Sequence, residues 1–348
     1  MKKSFLENFD FILIFSVLIL VGLGVAFIYS SGINSSGVLV TNEYIKQIIW
    51  AGIGFAFMIF FTLYDYRKLS RYAVYFFVGL LTLLVFTRFF GRESHGARSW
   101  LGIGEFGFQP SEFGKIFYVL MLAKYLDISI NENQLKRMVV SVLIFMAPTG
   151  MILIQPDLGT ASVYIPIFFV MCFVAGIPSR YIIFLLATGF AMIVFMDPNV
   201  DRRGAGWNII QSKIAIGAGG LFGRSFLHGT QSHYRFLPEQ STDFIFSILS
   251  EELGFIGGIV VFVLYFIIMI RTIMIIKNCS NRFGCYIAAG FLGMYMMHFF
   301  VNVGMVMGIM PITGIPLLFL SYGGTSLLTA MTSIGILMSI NSRKYNFT

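Results

Sequence analysis

FILIFSVLILVGLGVAFIY, residues 11–29, is a run of nineteen apolar or small residues without a single charge. As an α-helix rising about 1.5 Å per residue it reaches across a hydrocarbon core about 30 Å thick. No small-residue cleavage site follows it, so the run is expected to be a retained span and not a secretory leader. Working outward, further apolar runs fall near residues 46–64, 72–90, 110–126, 138–154, 159–176, 181–197, 254–276, 285–308 and 317–340. Only 11% of the 348 residues are charged and 57% are hydrophobic, against about 25% charged in a soluble protein. The expected fold is therefore an all-α polytopic membrane protein of about ten transmembrane helices. It is expected to form one domain over residues 1–348, with no soluble domain at either end.

Basic residues orient the bundle. With the N-terminus in the cytoplasm, the inner tails and short loops hold 14 of the 24 Lys and Arg residues, among them Lys2, Arg67, Arg137, Arg282 and Arg343. The positive-inside rule then predicts both termini in the cytoplasm, with a long extracytoplasmic loop at 198–253 between the seventh and eighth spans. The three cysteines and four histidines show neither a disulfide framework nor zinc-ligand spacing. No P-loop, Rossmann fingerprint or Ser-His-Asp arrangement is present.

A quarter of the 16 acidic residues fall in FLPEQSTDFIFSILSEELG, residues 236–254. Ser241 or Thr242 is expected to cap a helix with Asp243 in its first turn. At 100° per residue Asp243, Ser247, Ser250 and Gly254 share one stripe, Glu252 points away, and Glu251 lies to one side. Asp243 is then either a helix-start cap or a carboxylate at a cavity rim, where partial desolvation suits a general base. Upstream, IIQSKIAIGAGGLFGRSFLHGTQS (209–232) reads as an amphipathic helix and a glycine-rich turn, serving as interfacial anchor or substrate contact. Arg224, His228, His233 and Arg235 add positive charge suited to an anionic ligand or lipid headgroup.

In RSWLGIGEFGFQPSEFGK (98–115), Pro110 and Ser111 mark a helix start, and Glu112 and Lys115 follow on one face. Such a pair at membrane depth either lines a cavity or is a structural ion pair. Arg98 and Trp100 are an interfacial anchor or part of a substrate rim. QPDLGTA (155–161) breaks two spans around Asp157, and NVGMVMGIMPITGIPLLFLSYGGTS (302–326) repeatedly interrupts an apolar region. Broken backbone at that depth is tolerated where protein covers it or where it lines a cavity.

Together, ARSWLGIGEFGFQPSEFGK, QPDLGTA, FLPE…TDFIF…EELG and NVGM…PITGIPLLFLSYGGTS resemble, in order and spacing, the SEDS (shape, elongation, division and sporulation) family. These are polytopic glycosyltransferases of bacterial cell-wall synthesis. GWNIIQSKIAIGAGGLFGRSFLHGTQS is closer to the elongation branch than to the division branch. The resemblance implies polymerisation of lipid II, an undecaprenyl-pyrophosphate disaccharide-peptide, on the outer face of the bacterial cytoplasmic membrane. It implies Asp243 as the catalytic carboxylate, with substrate-binding candidates Arg98, Trp100, Glu112, Lys115, Asp157, Arg202, Arg203, Arg224 and Glu239. Lys115 is the foremost cation for the diphosphate, and Glu239 and Glu251 are expected to bond nearby basic residues or backbone. Mg or Mn at the diphosphate is conceivable, although no metal motif is visible and no metal ligand is assigned. The implied partners are a class B penicillin-binding protein transpeptidase, elongation-machinery membrane proteins and membrane lipids, with no nucleic acid. Ser241 departs from the His or Asn common before this motif, which puts in doubt an imidazole beside Asp243; His228 or His233 could stand in. A lipid II flippase or transporter would also account for broken helices and intramembrane charge, and a non-catalytic scaffold is the third alternative.

Overall fold

The computed structural model describes residues 9–94, 97–103, 106–178, 180, 205–230, 234, 237 and 239–343. Ten α-helices occur among them: α1 Phe11–Ser31, α2 Glu43–Leu63, α3 Leu69–Phe90, α4 Pro110–Ile128, α5 Gln134–Ile154, α6 Leu158–Val174, α7 Ala205–Gly219, α8 Ile245–Asn278, α9 Arg282–Val306 and α10 Gly324–Ser342. Seven of these are long and apolar enough to cross a membrane. α4 also matches an expected span but carries Glu112, Lys115, Lys124 and Asp127, and α6 is a shorter apolar helix of 17 residues. The expected span at 181–197 lies outside the described residues.

The centre of the bundle is made by the helices richest in small and polar residues. α9 and α10 are mostly buried, whereas α2 and α3 turn large apolar side chains such as Phe60, Tyr75 and Phe89 outward. In lipid, close packing replaces the hydrophobic effect as the force between helices, and small residues permit it. α10 crosses α2 so closely that a Cβ on Gly335 would stand 2.5 Å from the Met58 carbonyl.

Hydrogen bonds sort the helix ends into two groups. At one end, Asp10 pairs with Arg271 at 2.7 Å, and Arg343 caps α2 through the Leu63 carbonyl at 2.6 Å. There too, Arg137 of α5 donates to Leu126 of α4 and to Ala175 beyond α6, at 2.9 and 3.0 Å. At the other, Gln155 donates to the Leu84 carbonyl of α3 at 2.8 Å, and Ser30 of α1 bonds Glu252. These are the two polar ends of a membrane bundle.

Three details depart from the expected elements. A small antiparallel sheet is formed by β1 Arg92–Ser94, β2 Ala97–Ile103 and β3 Phe106–Phe108, with Leu101 opposite Phe108. The last helix starts at Gly324, seven residues later than expected, because Pro311, Gly314 and Pro316 keep the preceding segment irregular. That segment is satisfied by protein: Tyr265 donates to Leu318, Gln47 to Ser321 at 3.1 Å, and the Tyr322 amide to Ser241 at 2.8 Å.

The third departure is at the eighth span. α8 begins at Ile245 but breaks at Gly254, where φ is +69°. Breaking a helix orphans backbone groups on both sides of the gap. The loop after α7 supplies them: Phe255 and Ile256 donate to Gly220 and Leu221 at 2.9 and 3.3 Å. In return the Glu251 and Glu252 carbonyls accept from Arg224 and Ser225 at 3.0 and 3.1 Å. The glycines allow this splice, since a Cβ on Gly223 would lie 2.1 Å from the Glu252 carbonyl.

Candidate active site

Asp243 lies in a turn two residues before α8, not in the helix's first turn. Glu239, with φ +52°, receives the amides of Thr242, Asp243 and Phe244 on its carbonyl at 3.1–3.4 Å. The Thr242 hydroxyl also returns to this carbonyl at 3.2 Å, so it caps the turn and not the helix. Exposed Glu239 thus shapes the turn that presents Asp243, which is half-buried.

Asn302 of α9 fixes this turn to the irregular segment. Its Nδ2 donates to the Asp243 carbonyl at 2.9 Å and to the Ile315 carbonyl at 2.8 Å. The Asp243 carboxylate consequently reaches Gly314, where an ideal Cβ would lie 3.8 Å from Oδ2. Gly314, Ile315 and Pro316 form one wall of a small cleft; Glu112, Lys115, Thr160, Val163 and His298 complete its lining.

The cleft is strongly polar for its depth. Glu112 Oε1 and Lys115 Nζ are 2.6 Å apart, and both side chains are almost fully buried. Lys115 Nζ also lies 3.0 Å from His298 Nε2, while His298 Nδ1 lies 2.8 Å from the Pro316 carbonyl. Glu112 Oε2 is buried without a protein partner. Neighbouring Asp157 caps α6 through the Thr160 amide at 2.9 Å and accepts from Gln109 at 2.9 Å. Among the described residues no three His, Cys, Asp or Glu side chains gather as a metal-ligand set.

Other candidates fall elsewhere. Arg98 is exposed on β2, and half-buried Trp100 covers Gly107 of β3; neither is among the residues lining the cleft. Arg224 donates to the Thr230 hydroxyl at 2.9 Å and to the Ala218 carbonyl at 3.3 Å, which holds the glycine loop together. Glu251 accepts the Thr230 amide at 2.7 Å, and Glu252 accepts Leu227 at 3.0 Å, so these two buried acids fasten the same loop. His228 is exposed and bonds the Phe226 carbonyl at 2.9 Å; Arg202, Arg203, His233 and Arg235 lie outside the described residues. Sequence reasoning missed His298 and Asn302. His298 is set among apolar residues, and Asn302 heads a stretch in which glycines and prolines are the more conspicuous signal.

Comparison with known proteins agrees with this architecture over nearly the whole chain. The family model described as cell cycle protein FtsW/RodA/SpoVE matches residues 11–346. The peptidoglycan glycosyltransferase RodA of Treponema pallidum is 44% identical over 99% of this chain and 100% of its own. Peptidoglycan glycosyltransferase MrdB of Escherichia coli is 36% identical over 86% of this chain and 85% of its own. The crystal structure of the rod shape determining protein RodA of Thermus thermophilus superposes with a TM-score of 0.77 at 29% identity, covering 97% of this chain and 98% of that one. A chain from a structure on the coordination of polymerization and crosslinking by a peptidoglycan synthase complex gives 0.80 at 26% identity, covering 97% and 99%. The chain belongs to the FtsW/RodA/SpoVE family of polytopic membrane proteins, the SEDS family, and stands within it beside RodA rather than FtsW.

Proposed function

We propose that this protein is a peptidoglycan glycosyltransferase that polymerises lipid II into β-1,4-linked glycan on the outer face of the cytoplasmic membrane during cell elongation. The names of its relatives support the reaction class. The observation that carries the mechanism is the meeting of the Asp243 carboxylate, at Gly314, with the cleft that holds buried Lys115. A base that adjoins the cleft through Gly314 and a cation within it are what an inverting glycosyl transfer from a diphosphate needs.

In this mechanism the 4-hydroxyl of the acceptor N-acetylglucosamine loses its proton to Asp243 as its oxygen bonds the anomeric carbon of the donor N-acetylmuramic acid. The bond from that carbon to the diphosphate oxygen breaks on the opposite face, so α becomes β. Undecaprenyl pyrophosphate leaves with the electron pair, and Lys115 offsets its growing charge. Burial strengthens that interaction relative to water. Glu112 keeps Lys115 in place, and Asn302 sets the height of Asp243 over the cleft through the backbone. A Mg or Mn ion, if bound, would be held by a carboxylate such as Glu112, whose Oε2 has no protein partner, and would supply further positive charge to the leaving diphosphate.

The end of the bundle that carries Asp243 is opposite the end that gathers Arg67, Arg137, Arg271 and Arg343. The positive-inside rule therefore supports an outward-facing site with both termini inside. A class B penicillin-binding protein is the partner in this reading, supported by the similarity to a chain of a peptidoglycan synthase complex. The test is to supply lipid II to the purified protein with that partner and separate the products. Glycan strands support a polymerase; translocation of lipid II across vesicles without strands supports a flippase instead.

A further inference from the structure

His298 lines the cleft but has no part in the reaction as written. A residue of α9, it is wholly buried where that helix meets the irregular segment before α10, and both of its ring nitrogens are engaged. A carbonyl can only accept, so the 2.8 Å contact to Pro316 puts the ring hydrogen on Nδ1. That leaves Nε2 of the neutral ring as an acceptor for the Lys115 ammonium at 3.0 Å.

An ammonium carries three hydrogens in a tetrahedral arrangement. Glu112 Oε1 takes one at 2.6 Å and His298 Nε2 takes another at 3.0 Å. Two fixed directions determine the third. Rotation of the ammonium about its Cε–Nζ bond is thereby held at two points, where Glu112 alone would hold it at one.

We propose that His298 is a positioning residue: by accepting from Lys115 it aims the remaining ammonium hydrogen into the cleft, where it meets the diphosphate of the lipid substrate. The identity of that diphosphate rests on the polymerase reading. The same ring ties Lys115 to Pro316, two residues from the Gly314 that adjoins Asp243. His298 thus keeps the cation and the carboxylate in register across two otherwise separate elements.

Two amide substitutions separate this role from plain packing. His298→Gln can place an acceptor where Nε2 stands, whereas His298→Asn can keep the donor to Pro316 but falls short of Lys115. Binding of undecaprenyl pyrophosphate to the purified protein in detergent micelles is the readout, with thermal stability measured alongside. The wild type is expected to bind, His298→Gln to stay within about threefold, and His298→Asn and His298→Leu to weaken by about tenfold or more, the scale of one charge-assisted hydrogen bond. A ring that merely anchors Pro316 predicts the reverse order, with Asn near wild type and Gln impaired. That order, equal loss in Gln and Asn, or no binding by the wild type overturns the proposal. Should His298→Leu fail to fold, the Gln and Asn pair still decides. If the wild type makes no glycan from lipid II, the polymerase reading falls, while the affinity order of these variants stands or falls separately.

Discussion

Asn302 Nδ2 donates at 2.9 Å to the backbone carbonyl of Asp243 and, with its other hydrogen, at 2.8 Å to Ile315. One buried side chain thereby joins the turn that carries the carboxylate to the segment that walls the cleft.

Replacing Asn302 by Ala should strand two carbonyls and free Asp243 to drift. We expect a loss of about 2–6 kcal/mol in stability, at about 1–3 kcal/mol for each buried group left unpaired. Lipid II polymerisation should fall by at least about tenfold, because a shift of about 1 Å is costly to aligned groups. Thermal unfolding in micelles and a strand assay on the same preparation check both. Full activity in the variant would show that the backbone bond does not set the position of Asp243.

The helix break makes a separate prediction. Gly254 has φ +69°, and a Cβ there would sit 2.3 Å from the Gly223 amide nitrogen. Gly254→Ala should therefore open the splice between α8 and the Gly219–Thr230 loop, at a cost of about 1–3 kcal/mol in backbone strain alone. Amide exchange of Arg224 and Ser225, whose hydrogens are held by Glu251 and Glu252, should accelerate at least about tenfold. Unchanged protection at those two amides would mean the loop is held by something else.

The Glu112–Lys115 pair separates structure from chemistry. Lys115→Met leaves a buried carboxylate uncompensated, which typically costs about 3–5 kcal/mol. Adding Glu112→Gln should recover most of that stability, since the charge is gone. Polymerisation should not return with it, because no cation then faces the diphosphate; we expect it to stay down by about a hundredfold or more. A stable double variant with wild-type turnover would make the pair purely structural.

Much of this architecture was legible in the sequence, for identifiable reasons. Residues 11–29 announce a span because length and lack of charge suffice, and Pro110 marks the start of α4 because proline suits a first turn. The Asp157 break was visible for the same kind of local reason. Asp243 and the Glu112–Lys115 pair stood out as charges where burial makes charge expensive. What stayed hidden depends on partners far away in sequence. Nothing local says that Glu251 and Glu252 turn to a loop more than 20 residues earlier, or that glycines 219–223 complete a helix broken at Gly254. Helical periodicity put Asp243 inside α8, but the turn closed by the Glu239 carbonyl ends the helix two residues short of it. His298 and Asn302 escaped notice because a polar residue on a mostly apolar helix gains meaning only when the facing element is known.

The most direct test of the central claim is polymerisation of lipid II by the purified protein with the proposed transpeptidase partner, wild type against Asp243→Asn. The substitution keeps the size of the side chain and removes the carboxylate that the proposed mechanism uses as base. We expect glycan strands from the wild type and none above background from the variant, with equal expression, melting behaviour and partner binding. Strands made by Asp243→Asn at the wild-type rate would contradict the account.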